Sequence, residues 1–141
     1  MAIRQLSVFV ENKKGSLHEI TDALAAAGIN LRSMCVADTA NFGIVRIIAD
    51  KPDEAKALLD RAGHAANIRE INAFAVPDAP GGLAKVLSLL ETNGVNIEYM
   101  YALVTSEVGK AYAVLRSDNT AETDKILKEA GIELLDEAKL K

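Results

Sequence analysis

VENKKGSLHEITDALAAAGINLRSM (10–34) and VPDAPGGLAKVLSLLETNGVNIEYM (76–100) are two writings of one local pattern, 66 positions apart. Val10, Gly15, Leu17, Leu24, Gly28, Asn30 and Met34 meet Val76, Gly81, Leu83, Leu90, Gly94, Asn96 and Met100. What recurs is turn chemistry as much as apolarity. Outward from this block the same shift pairs Thr39 with Thr105 and Gly43 with Gly109, and runs without a gap to Asp50/Arg116. A shift of 68 then matches Lys51–Gly63 to Asn119–Gly131, so two extra residues are expected at the strand-to-helix turn, where insertions cost least. An internal repeat of this size predicts two copies of one small unit, residues 1–70 and 71–141, with two similar surfaces.

The elements of the unit follow from periodicity and punctuation. Ile3–Val10 is β-branched and aromatic and too short for a helix, so it reads as a strand. Ser16 followed by Glu19 is a capping-box signature. Leu17, Ile20 and Leu24 then form a helical stripe beside Ala23 and Ala27, and Gly28 stands where a helix ends. Strands follow at Ile29–Ala37 and Phe42–Ala49, and Pro52 opens a second helix carrying Ala55, Leu58, Leu59 and Ala62 up to Gly63. Copy two gives strands at Val95–Val104 and Val108–Leu115, a helix with Ile126, Leu127 and Ala130, and a short last strand, Ile132–Leu135. Asn67–Val76 holds no Gly, Ser or Pro, so the last strand of copy one is expected to run into the first strand of copy two. The fold class is α+β: two ferredoxin-like βαββαβ units, antiparallel sheets with helices on one face. Ile97, Tyr99, Tyr101 and Leu103 alternate with Met100, Ala102 and Val104, so this strand is apolar on both sides and calls for a covered second face.

Composition removes several functions. Half of the 141 residues are apolar, enough for a packed core. A net charge of −4 argues against nucleic acid as a partner, because phosphate binding is driven by Lys and Arg. One Cys and two His offer neither a disulfide nor a metal cluster, and no cofactor is implied. No apolar run approaches a bilayer span and the N-terminus has no signal-peptide pattern, so a cytoplasmic protein without membrane contact is expected. The G-x-S-x-G, H-E-x-x-H, C-x-x-C and P-loop motifs are absent, His18 falls on the exposed side of its helix, and His64 follows the Gly63 cap as a solvated residue. A ferredoxin-like enzyme using Arg4, Arg32 or Arg46 is a rival reading, but no glycine loop presents an Arg to a phosphate. No catalytic residue is assigned.

What remains is the turn before each first helix and the start of each second strand. Gly15 and Gly81 precede helix N-termini, whose free N–H groups and dipole suit a carboxylate. Asn12 and Asp78 lie three residues earlier, and Asn30 and Asn96 two residues after the helix-ending glycines. N–H donors together with oxygen acceptors are what an α-amino acid requires.

With these residues in view, the chain resembles a tandem ACT-domain protein, through E-N-K-K-G-S-L (11–17) with A-G-I-N-L (27–31) and P-D-A-P-G-G-L (77–83) with N-G-V-N-I (93–97). The resemblance implies a regulatory module that senses a small molecule, typically an amino acid, at a junction between modules. It places the ligand against Asn12, Gly15, Asn30 and Leu31 in copy one and Asp78, Gly81, Asn96 and Ile97 in copy two, with Tyr99 and Tyr101 as candidate walls. Lys14 departs from the pattern, which carries Pro as copy two does at Pro80, and Asp78 stands where copy one has Asn12. The resemblance implies a non-enzyme that acts on a separate, unknown protein partner, and the two-sided apolar strands add an expected homodimer. The remaining alternative is a structural, oligomerising module whose pockets have degenerated.

Overall fold

A computed structural model describes residues 2–38, 41–104 and 108–140. The repeat pair Thr39 and Thr105 lies outside the described residues. The elements run β1 (Ile3–Glu11), α1 (Ser16–Ala26), β2 (Leu31–Asp38), β3 (Phe42–Ala49), α2 (Pro52–Arg61), β4 (Ala66–Pro77), α3 (Gly82–Thr92), β5 (Ile97–Ala102), β6 (Lys110–Ser117) and α4 (Thr120–Glu129), closing on a 3₁₀ turn at Glu137–Leu140. The fold is α+β with antiparallel strand pairs, as the sequence predicts. The chain divides into two compact units, Arg4–Arg69, and Glu70–Lys141 with Met1–Ile3.

In the unit Arg4–Arg69 the strand order is β2-β3-β1-β4. Leu6 faces Ile47 and Val8 faces Val45 across the β1–β3 ladder, so these four side chains share one side of the sheet. Ile20 and Leu24 of α1 and Ala55 and Leu59 of α2 close over them, all fully buried. Burying each Val, Leu or Ile side chain among them contributes roughly 1.5–3 kcal/mol, and this layer is what holds the unit. The other unit has the order β4-β6-β5, and its core joins Phe74, Val76, Ala113 and Leu115 to Val86 and Leu90 of α3 and Ile126 and Leu127 of α4. The predicted strand at Ile132–Leu135 is reduced to a single antiparallel bridge, Phe74 to Leu134. Two backbone bonds flank it, Ala75 N–H to the Glu133 carbonyl and Leu135 N–H to the Ala73 carbonyl, both 2.9 Å.

The helices α1, α2, α3 and α4 end alike. Gly28, Gly63, Gly94 and Gly131 take φ between 71° and 88°, and the following amide reaches back to the last buried turn, as Ile29 N–H does to the Leu24 carbonyl at 3.0 Å. This is the Schellman arrangement, in which glycine avoids the Cβ penalty of the left-handed region.

Three further readings of the sequence are corrected. Ser16 makes no capping box: Gly15 is the N-cap, at φ 90°, and no side chain caps the helix. A capping box needs an extended cap residue, and the left-handed Gly15 instead presents its carbonyl to Glu19 N–H at 3.0 Å. Leu17 and its equivalent Leu83 are each 38% exposed rather than part of the core stripe. The third concerns the insertion. Leu6 pairs with Ile47 while Asn72 pairs with Leu115, and Met34 pairs with Ile47 while Met100 pairs with Leu115. The shift of 68 therefore already holds at β3 and β6, and the extra residues sit in the β5–β6 hairpin. The structural partner of Gly43 is Ala111, and Gly109 corresponds to Asn41: Asn12 N–H binds the Asn41 carbonyl and Asp78 N–H the Gly109 carbonyl, both 3.0 Å.

Candidate functional site

Each turn between the first strand of a unit and its first helix is built by the same hydrogen bonds. Lys13 N–H meets the Glu11 carbonyl and Ala79 N–H the Pro77 carbonyl, both at 2.9 Å. Ser16 N–H reaches Lys13 and Gly82 N–H reaches Ala79. Gly15 and Gly81 adopt φ of 90° and 82°, so each turn requires a left-handed residue that lets the chain enter the helix. In the second unit the turn is tighter. A Cβ on Gly82 would lie 2.2 Å from the Pro77 carbonyl oxygen, whereas Ser16 occupies the corresponding place in the first unit. Asn12, Gly15, Asp78 and Gly81 are all exposed.

The strand starts are fixed by residues that sequence reasoning passed over. Asp50 accepts Asn30 N–H on Oδ1 at 3.0 Å while its own N–H donates to the Asn30 carbonyl at 3.1 Å. Asp118 repeats this with Asn96, at 3.4 and 3.2 Å. The backbones of Asn30 and Asn96 are thus committed to structure, and their exposed side chains remain outside these clamps. The recurrence of Asp under the shift of 68 was the available signal. Leu31 and Ile97 are half-buried against the two cores.

Within a unit the predicted residues fall into two groups. Asn12 and Gly15 stand at the start of α1, and Asn30 and Leu31 follow its end. Eleven residues at about 1.5 Å each separate them by roughly 16 Å. The same holds for Asp78 and Gly81 against Asn96 and Ile97 across α3. No single unit brings its turn and its strand start together.

Beside the second turn lies a cleft of about 400 Å³, lined by Asp78, Leu83, Met100, Tyr101, Ala102 and Tyr112 among others. It is mainly apolar, and Asp78 is among its lining residues. Tyr101 forms part of its wall. The first unit has a more polar cleft of about 340 Å³ between its turn and the end of α2, reached by Lys13, Ser16, Glu19 and His64. His64, expected to be solvated, has a side chain only 19% exposed and lies 3.6 Å from Glu19. His18 is exposed. Arg4 is taken up by Asp53, its Nη1 donating to both carboxylate oxygens at 2.9 Å. Among the described residues no His, Cys, Asp and Glu side chains gather where they would hold a metal ion, and no helix is long and apolar enough to cross a membrane.

Comparison with known proteins gives a consistent relation. The family described as an ACT domain pair matches residues 1–141. The chain is similar to the crystal structure of protein BT0572 from Bacteroides thetaiotaomicron, at 41% identity and a TM-score of 0.93, covering 99% of this chain and 96% of that one. It shares its fold with the regulatory subunit of aspartate kinase from Thermus thermophilus, at 19% identity and a TM-score of 0.68, covering 90% and 91%. The corresponding subunit from Thermus flavus matches at 19% identity and a TM-score of 0.63, covering 90% and 91%. No curated protein matches the chain.

Proposed function

Because this chain belongs to the ACT domain pair family, we propose that it is a non-catalytic regulatory protein that binds a free amino acid and acts on a separate protein. The observation that carries this reading is the recurrence, in both units, of a left-handed glycine turn at a helix N-terminus and a clamped Asn at a strand start. The turn offers N–H groups to a carboxylate. The Asn side-chain oxygen offers an acceptor to an ammonium group.

The two groups lie at opposite ends of a helix, so one ligand touches both only when a second module lies antiparallel along the strand edge. The turn of one module, Asn12 with Gly15 or Asp78 with Gly81, then meets the strand start of its neighbour, Asn96 with Ile97 or Asn30 with Leu31. A ligand bridging two modules favours that placement over others, and a partner protein reads the difference. The cytoplasm, where free amino acids are abundant, is the compartment this role requires.

Thermal unfolding of the chain against the amino acids one by one tests the reading. A ligand held at about a hundred times its dissociation constant adds roughly 2.7 kcal/mol and raises the midpoint by roughly 5–10 °C. Asn30→Ala and Asn96→Ala reduce that response. A flat panel, with assembly intact, favours the structural-module reading instead.

A further inference from the structure

The cleft beside the second turn lies where the two units differ in side-chain bulk. Ala102 faces Ala113 across the β5–β6 ladder, on the side of the sheet that packs against α3 and α4, and both line the cleft. The corresponding pair in the first unit, under shifts of 66 for β2 and 68 for β3, is Val36 facing Val45. Two isopropyl groups of one unit are therefore two methyl groups in the other. The flanking residues are unchanged, Leu17 and Met34 against Leu83 and Met100. The space of about 400 Å³ is of the size that holds a small molecule, with mainly apolar walls and few polar groups. Pro77, Asp78 and Ala79, the turn residues before Gly81, are themselves lining residues. A ligand whose carboxylate sits at that turn is already at the cleft.

We infer that the cleft receives the side chain of the bound amino acid and restricts the second site to apolar side chains, aliphatic or aromatic. The inference rests on the proposed binding at the Gly81 turn and adds which ligand that turn selects. Each methylene buried against these walls tightens binding roughly fourfold. A polar side chain gives up its hydrogen bonds to water and finds no replacement at Leu83, Met100 or the alanines. An acidic one also meets the charge of Asp78, which stands where the first unit has the neutral Asn12. A basic one is drawn to Asp78, but that residue is exposed, so the attraction is screened and does not offset burying an ammonium group against apolar walls. The Val36–Val45 pair leaves less room at the equivalent place, so the two units differ in the ligand side chain they accept.

Calorimetric titration of the full chain with glycine, alanine, serine, leucine, phenylalanine, glutamate and lysine tests this, on wild type and on the double variant Ala102→Val with Ala113→Val. Methyl-labelled methionine NMR locates the ligand, since Met100 lines the cleft. Leucine and phenylalanine are expected to bind at least tenfold tighter than alanine, with glutamate and lysine weakest, and leucine moves the Met100 methyl resonance. The double variant restores the valine pair of the first unit: leucine binding at the second site weakens at least fivefold, alanine binding holds, and the Met100 response is lost. Alanine, serine or lysine binding as tightly as leucine, an unmoved Met100 resonance, or a double variant that keeps the lead of leucine overturns the inference. If circular dichroism shows the double variant unfolded, Ala102→Val alone, at an exposed position, is judged by the same criteria. Failure of every amino acid to bind refutes the sensing role and this inference together, whereas binding in the wrong order refutes only the assignment of the cleft.

Discussion

Gly82→Ala separates steric need from habit at the second turn. The added Cβ would lie 2.2 Å from the Pro77 carbonyl oxygen. Relief requires α3 and the end of β4 to part by roughly 1 Å, since carbon and oxygen do not approach closer than about 3.2 Å without strain. Overpacking of this kind costs about 1–3 kcal/mol. Replacing glycine in a helix interior returns at most about 1 kcal/mol, and less at the first helical residue. The clash wins, and a net loss of about 1–2 kcal/mol is expected. With a urea slope of about 1.5 kcal/mol/M the midpoint falls by roughly 1 M. Ser16→Ala at the corresponding place in the first unit serves as the control. Ser16 makes no side-chain cap bond, so its loss falls within about 0.5 kcal/mol. Because the strain falls on the turn assigned to the ligand carboxylate, Gly82→Ala also weakens amino-acid binding at the second site. A Gly82→Ala protein as stable as wild type would refute the close approach of Pro77 and the tightness ascribed to this turn.

Three further outcomes are expected. Asp50→Ala removes the acceptor for Asn30 N–H, and should cost about 1 kcal/mol and raise amide exchange at Asn30 without loss of fold, as followed by hydrogen exchange; unchanged exchange would contradict the clamp. Leu59→Ala and Leu127→Ala, fully buried equivalents in the two cores, should each cost about 2–5 kcal/mol in urea melts, and a cost near zero at either would deny that core. Lys56 one turn before Asp60 hydrogen-bonds its carboxylate and holds it below the ordinary range. A lowered folded-state value stabilises at pH above the usual carboxylate range and is lost as pH falls through it. NMR titration should show Asp60 rising toward its usual value in Lys56→Met, and an unmoved midpoint would contradict that cause.

The parts of the fold written by local chemistry were legible. Pro52 opens α2, and the glycines at 28, 63, 94 and 131 end their helices, because backbone geometry leaves few other residues for those places. The absence of Gly, Ser and Pro over Asn67–Val76 foretold the uninterrupted β4. Register was less legible. Gly43 and Gly109 match by eye, yet hairpin length is set by which strand residues pair, and the ladder rather than the glycine decides. Ser16 and Glu19 have the letters of a capping box, but the left-handed Gly15 removes the extended cap residue such a box needs. For the candidate site, spacing already sets the glycine turns before α1 and α3 and the asparagines after them, but not the separation of roughly 16 Å that follows. Spacing counts residues along a chain, and a helix turns that count into distance. Asp50 and Asp118 went unnoticed because a shift of 66 sets Asp50 against Arg116.

The most direct measurement is a crystal structure of the full chain grown with the amino acid that raises its melting temperature most. The account predicts density for a zwitterion with its carboxylate at the Gly15 or Gly81 turn of one module and its ammonium at Asn96 or Asn30 of another. Density confined to a single unit, remote from these turns, or no bound amino acid under saturating conditions would contradict it.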